Sequence, residues 1–275
     1  MSSITIGRQK TALLLQLEFP TWITARPWTY SANFAVQEGL TASGVECLTV
    51  PVIADLSCAS PHSWVSHARR FLGNRTFDQV WVWLVHTPLD PGTLEWITGL
   101  APIRVGILME SLRYDADDYR WAPHLQERHA LVEQQIRFMT HVLAPDECDA
   151  EELQQHSHVK ALWWPPMVPE RFIADPQGAP VERQAVFHGT PYGPRQHWVS
   201  HPALSSRLHY AKAVNPPTLH QQLFDQLQQI GSQVLKQGNA VTAPVMQEYV
   251  DTLRSIREKE FGEWMGGLSR WPAIV

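Results

Sequence analysis

The 275-residue chain has no apolar run near the roughly 20 residues that a membrane-spanning helix requires. Its first ten residues, Met1 to Lys10, hold no apolar core followed by a small-residue cleavage site, so a cytoplasmic location is expected. A net charge of -5 leaves no global basic field for nucleic acid. The three cysteines, Cys47, Cys58 and Cys148, are odd in number and widely spaced, with no CxxC pair. They are expected to be buried, reduced thiols, with neither a disulfide framework nor a zinc site. His197 and His201 stand four apart, but the segment His197-Trp-Val-Ser-His201 lacks the glutamate of HExxH, so no metal is expected there. No GxGxxG follows the first apolar run, which weighs against a dinucleotide cofactor; no cofactor is expected.

What is present is a soluble-protein composition, 44% hydrophobic and 18% charged, long enough for one large or two ordinary domains. Short apolar runs alternate with helical stretches. Thr11 to Leu17 is continuous and apolar, as in a strand buried on both faces. Strands are also expected at Val45 to Ile53, Val80 to Val85, Ile103 to Met109, Val142 to Ala144 and Val159 to Trp163. Helices are expected from Thr29 or Ser31 through Leu40, from His62 to Leu72, Pro91 to Leu100, His124 to Met139 and Asp146 to Gln155. Gly44 and Gly73 are placed to stop two of them. Strands separated by helices imply βαβ units and a parallel sheet.

Trp163-Trp164-Pro-Pro-Met-Val-Pro169 has the composition of a linker, and an apolar run restarts at Ala185-Val186-Phe187. The expected organisation is α/β, with two Rossmann-like domains facing a cleft. Residues 1–168 form the first, 169–180 the linker, and 181–275 an incomplete second domain. About 95 residues with one or two strands are few for a whole sheet, and the chain ends on apolar Trp271-Pro-Ala-Ile-Val275. A protein continuing past Val275 is therefore expected.

Ligands of open parallel sheets bind beyond the carboxyl ends of strands. Four segments qualify. After Leu17 come Trp22, Arg26 and Trp28, a surface for a polar, ring-bearing ligand or a packed surface loop. With twelve tryptophans in the chain, most are core or packing residues, which keeps both readings open. His86 follows the strand VWVWLV, where a histidine can act as general base or simply make a structural hydrogen bond. Glu110 follows the next strand and can deprotonate or orient a hydroxyl. Beyond it, Asp115-Ala-Asp117 is formally a DxD, better taken as a solvated acidic turn.

The fourth segment is Phe187-His188-Gly189-Thr190-Pro-Tyr192-Gly193-Pro-Arg195. Its two glycines let the backbone approach an anion, the following helix start offers free N–H groups, and Arg195 adds a permanent charge. A plain strand-to-helix turn has the same composition.

Several stretches together resemble bacterial GT-B-type glycosyltransferases, of the group labelled family 1 or family 4-like. They are Ser31 to Leu40, Gly106 to Tyr114, Thr140 to Asp146 with the Trp-Trp-Pro-Pro linker, Phe187 to Arg195, and Tyr249 to Arg254. The resemblance implies a hexosyltransferase-type enzyme. Its first domain would bind a saccharide, lipid or protein acceptor, and its second a nucleotide-sugar donor, with no nucleic acid and at most peripheral membrane contact. By position, His188, Gly189, Thr190, Tyr192, Gly193 and Arg195 would face the donor phosphates. His86 and Glu110, with Trp22, Arg26 and Trp28, would lie on the acceptor side. The glutamate- and glycine-bearing segment that grips the donor ribose in such enzymes is missing, so the chain as given is expected to hold half a donor site and to be inactive if truncated. The alternatives are a non-catalytic two-lobed binding module and a metal-dependent transferase using Asp115 and Asp117.

Overall fold

A computed structural model describes residues 8–18, 32–53, 68–84, 89, 91–114, 116–121, 123–165, 171, 184–189 and 194–212, with single residues between 225 and 268. The dominant element is a six-stranded sheet. Its strands are β1 (Thr11–Glu18), β2 (Glu46–Ile53), β3 (Gln79–Leu84), β4 (Ile103–Leu108), β5 (His141–Ala144) and β6 (Lys160–Trp163). They lie in the order β2-β1-β3-β4-β5-β6, and every pairing is parallel. The expected α/β class and parallel sheet are therefore present.

The apolar runs explain the arrangement. Leu13, Leu14 and Leu15 of β1 are fully buried on successive positions, so both faces of this strand are covered. β3 and β4 carry Val80, Val82, Val105 and Ile107 into the same core. The flanking helices are α1 (Ala32–Ala42), α2 (Pro91–Leu100), α3 (Ala116–Trp121), α4 (His124–Ile136) and α5 (Glu147–His156). α1 ends at Gly44, whose φ of 77° is the left-handed conformation that closes a helix without a Cβ penalty. Gly73 does the same at φ 56°, after the helical residues 68–72. α5 starts on a side-chain cap: Asp146 accepts from the amides of Cys148 and Asp149.

A second, separate ladder follows in sequence. β7 (Ala185–Gly189) pairs in parallel with β8 (Leu208–Lys212). Between them lie α6 (Pro194–Val199) and a short 3-10 turn at Pro202–Leu204. Arg171, inside the expected linker, is tied elsewhere. Its Nη2 meets Glu38 of α1 at 2.5 Å and Glu258 at 3.5 Å.

Several expectations are corrected. Asp117 lies in a helix, α3, and not in a solvated turn, because Ala116 to Trp121 closes a helical turn and a half just before α4. The helix expected to reach Met139 ends at Ile136, and the chain tightens through Phe138 and Met139 amides bonded to Gln135 and Ile136 carbonyls. Cys148 is exposed, since the second position of α5 faces away from the sheet, while Cys47 is half-buried; neither is in a disulfide among the described residues. Cys58 lies outside the described residues, as does most of the helix expected over 62–72. Among the described residues, no helix is long and apolar enough to cross a membrane.

Candidate functional site

The strand order turns between β1 and β3. β1 has β2 on one side and β3 on the other, and β4, β5 and β6 continue away from β3. Parallel strands end at one edge, so the chain leaves β1, β3 and β4 side by side there. Such a reversal point is where open α/β sheets hold ligands. Three of the four sequence-derived segments follow these strands. Trp22, Arg26 and Trp28 come after β1 and His86 after β3; all four lie outside the described residues. Glu110 comes two residues after the end of β4 and is described in full.

Around Glu110 the structure assembles a polar and aromatic cluster. Arg128 of α4 donates from Nη2 to Glu110 Oε1 at 3.1 Å. The next residue, Ser111, donates its hydroxyl to Asp149 Oδ2 at 2.9 Å, and the Leu112 amide donates to the same oxygen at 2.7 Å. Asp149 is 1% exposed. One carboxylate at the start of α5 thus fixes the backbone immediately after Glu110. Arg113, also in this loop, is ion-paired with Glu152 one turn further along α5.

Beside Arg128, His129 is 7% exposed. Its Nδ1 shares a hydrogen bond with the Tyr119 hydroxyl at 3.1 Å. Tyr114 stacks on the imidazole, centroids 5.0 Å apart and planes 15° from parallel. Nε2 is buried with no hydrogen-bond partner among the described residues. Burial pushes the His129 pKa below the ordinary imidazole value, against the upward pull of Glu110, Asp149 and Glu133. Burial thus favours the neutral ring, which packs against Tyr114 and Tyr119.

Sequence reasoning found Glu110 but missed Arg128, His129, Tyr119 and Asp149. One signal for His129 was legible. Leu125, His129, Val132 and Ile136 are all buried and recur at helical spacing, so His129 sits on the apolar stripe of α4. Asp149 had a weaker signal, an acidic residue three positions after the capping Asp146. Its partner is 37 residues away in sequence, which no local pattern reveals.

The fourth segment lies on β7 and α6. His188 and Gly189 are the last residues of β7. The His188 side chain and Thr190, Tyr192 and Gly193 lie outside the described residues. Arg195 is exposed at the second position of α6. Asp115 and the Asp117 side chain are likewise outside them. Among the described residues no group of three histidines, cysteines or carboxylates stands close enough to hold a metal ion. His197 and His201 meet edge to face at 5.8 Å, and His201 Nδ1 accepts the Ala203 amide as the cap of the 3-10 turn.

No family model matches the sequence, and no curated protein matches it.

Proposed function

We propose that this chain is a glycosyltransferase, or a fragment of one, that moves a sugar from a nucleotide-sugar donor to an acceptor. The observation that carries the reading is the order of its parts. A parallel sheet with its strand order reversing between β1 and β3 is followed in sequence by a second parallel β-α-β unit, β7-α6-β8. This is the sequence of elements expected of two Rossmann-like domains, residues 1–168 and 181–275. Under this reading the loops after β1, β3 and β4 take the acceptor, and the turn from His188 to Arg195 takes the donor phosphates.

The chemistry follows from the charges that change. Transfer passes through an oxocarbenium-like sugar while the acceptor hydroxyl loses its proton. His86 or Glu110 is the base for an inverting reaction. Arg128 pairs with the half-exposed Glu110 carboxylate, and Asp149 anchors the two residues that follow it, which narrows the positions open to the carboxylate. Under this reading the departing diphosphate is stabilised by backbone amides of the turn that leads into α6 and by Arg195. The reading also places the protein in the cytoplasm, where nucleotide sugars are made.

Calorimetry with UDP- and GDP-sugars tests it. Wild-type protein is expected to bind one of them, and Arg195→Ala to weaken that binding about tenfold or more without loss of folding. Glu110→Gln and His86→Ala are then expected to abolish or slow transfer while donor affinity stays. Unchanged donor affinity in Arg195→Ala removes Arg195 from the site. No binding of any nucleotide sugar by the full-length protein removes the transferase reading. Ligand binding that survives intact in Glu110→Gln and His86→Ala, with no turnover in wild type, leaves the two-lobed binding module instead.

A further inference from the structure

Beside α1 the sheet carries an open trough of about 710 Å³, within the range of about 300–1,000 Å³ typical of small-molecule sites. Trp81 of β3, Leu143 of β5 and Trp164, just past β6, form its wall on the sheet side. Both tryptophans are partly buried against the core, which holds their rings in place. Val36, Leu40 and Val45 are buried and form the floor. The trough follows the length of α1. That helix leaves the carboxyl end of β1, so Ala35 lies toward one edge of the sheet and Ser43 toward the other. Residues 35 to 43 rise about 12 Å along the helix axis.

The polar atoms of the lining are engaged within the protein. The Ser43 hydroxyl donates to the Gly39 carbonyl at 2.8 Å, and Gln79 Oε1 accepts the Trp81 indole N–H at 2.9 Å. Glu38 is paired with Arg171, which also meets Glu258. Two glutamates sharing one arginine leave this rim with one negative charge in excess, which disfavours an anionic occupant. An extended peptide would bring backbone N–H and C=O groups that need partners, whereas a hydrocarbon chain brings none.

Gly39 faces the middle of the trough. At about 100° per residue, the lining positions of α1 fan out on either side of it. A Cβ placed there meets nothing within 4 Å. Packing therefore does not demand glycine at this point, although glycine is a poor helix former. Any larger side chain at residue 39 would stand in the open space of the trough.

We propose that this trough binds an unbranched aliphatic chain of about eight to ten carbons, the alkyl or acyl tail of a molecule with a neutral head group. With C–C bonds of about 1.5 Å, an extended chain of that size spans the roughly 12 Å of α1 that lines the trough. The tail lies between the tryptophan wall and Gly39, over Val36 and Leu40. This site is independent of the sugar-transfer reading.

The proposal is tested by calorimetric titration of the full chain with hexan-1-ol, octan-1-ol and octanoate. Octanol is expected to bind about tenfold more tightly than hexanol, the contribution of two buried methylenes. Octanoate is expected to bind at least about threefold more weakly than octanol, because of the glutamate-rich rim. Gly39→Phe fills the trough from an exposed helix position and is expected to lose octanol about tenfold or more while circular dichroism stays unchanged. Gly39→Ala, which adds one methyl, is expected to keep octanol binding and so separates filling of the trough from a change in the helix. No octanol binding at millimolar concentration, equal affinity for the two alcohols, or full octanol affinity in folded Gly39→Phe each overturns the proposal. Self-association of the wild type in sedimentation, lost in Gly39→Phe and accompanied by no octanol binding, gives the trough to a second copy of the chain and likewise overturns it.

Discussion

Ser111 and Asp149 are 38 residues apart in sequence and joined by a 2.9 Å hydrogen bond, hydroxyl to buried carboxylate. With the Leu112 amide on the same oxygen, this contact fastens the loop after β4 to the first turn of α5. The carboxylate is out of water, so each bond to it is worth more than a neutral surface bond. Asp149→Ala is expected to cost about 2–3 kcal/mol in urea denaturation and Ser111→Ala about 1 kcal/mol. The double variant should fall short of the sum by about 1 kcal/mol, because both changes remove the same contact. Strict additivity would mean that the two residues act separately.

His129 gives a pH signature. Its folded pKa lies below the unfolded value because burial disfavours the imidazolium. The unfolded chain therefore takes up the proton first as pH falls. Stability is full above pH 6.5, the ordinary imidazole value, and declines as pH drops from there through the lowered folded value. His141 shifts the same way, by burial first and then by Lys160. His129→Gln is expected to flatten part of this acid limb in melting temperatures measured between pH 7.5 and 5, leaving the share of His141. An unchanged limb in that variant would assign the whole effect to other groups.

Gly106 in the middle of β4 is set by contact and not by a turn. A Cβ there would stand 2.5 Å from Leu84 Cδ1 and 3.0 Å from Met139 Cγ. Both neighbours are buried in the core, so neither side chain can swing into solvent. Gly106→Ala is expected to destabilise the protein by about 1–3 kcal/mol, the usual range for overpacking. A neutral result in a melting experiment would show that Leu84 re-packs freely.

The Arg171 tie to Glu38 and Glu258 is a different kind of interaction. All three side chains are partly solvent-exposed, so solvent and salt screen their attraction. Arg171→Ala is expected to cost no more than about 1 kcal/mol, a loss that shrinks further in 0.5 M salt. A loss that persists in high salt would point to the packing of the arginine stem and away from its charge.

Most of the sheet was legible because its strands are buried on both faces. Such strands must be apolar throughout, as in Leu13-Leu14-Leu15, and a run of that kind reads directly from composition. Helix ends at Gly44 and Gly73 were legible because the left-handed turn selects glycine. The helix over Asp117 was not, since six residues give too short a period to stand out against an acidic stretch. The 3-10 turn and β8 were missed as well. β8 reads Leu-His-Tyr-Ala-Lys, with too few apolar residues to mark a strand without its partner β7.

The site divides along the same line. Glu110 could be named from sequence because a polar residue directly after an apolar strand falls at the carboxyl edge of the sheet by topology alone. The residues that hold it could not. Arg128 reaches Glu110 across 18 positions and Asp149 reaches Ser111 across 38, and in each pair the two residues lie on different elements, so no helical or strand period links them. The amino-acid sequence by itself determined a parallel α/β sheet and the strand ends where polar loops emerge, because burial and backbone geometry act on neighbouring residues. Only the tertiary structure decided which of those loops is anchored and which imidazole and which carboxylate are shut away from water. Those properties depend on distance and solvent exclusion between groups that the chain itself keeps far apart.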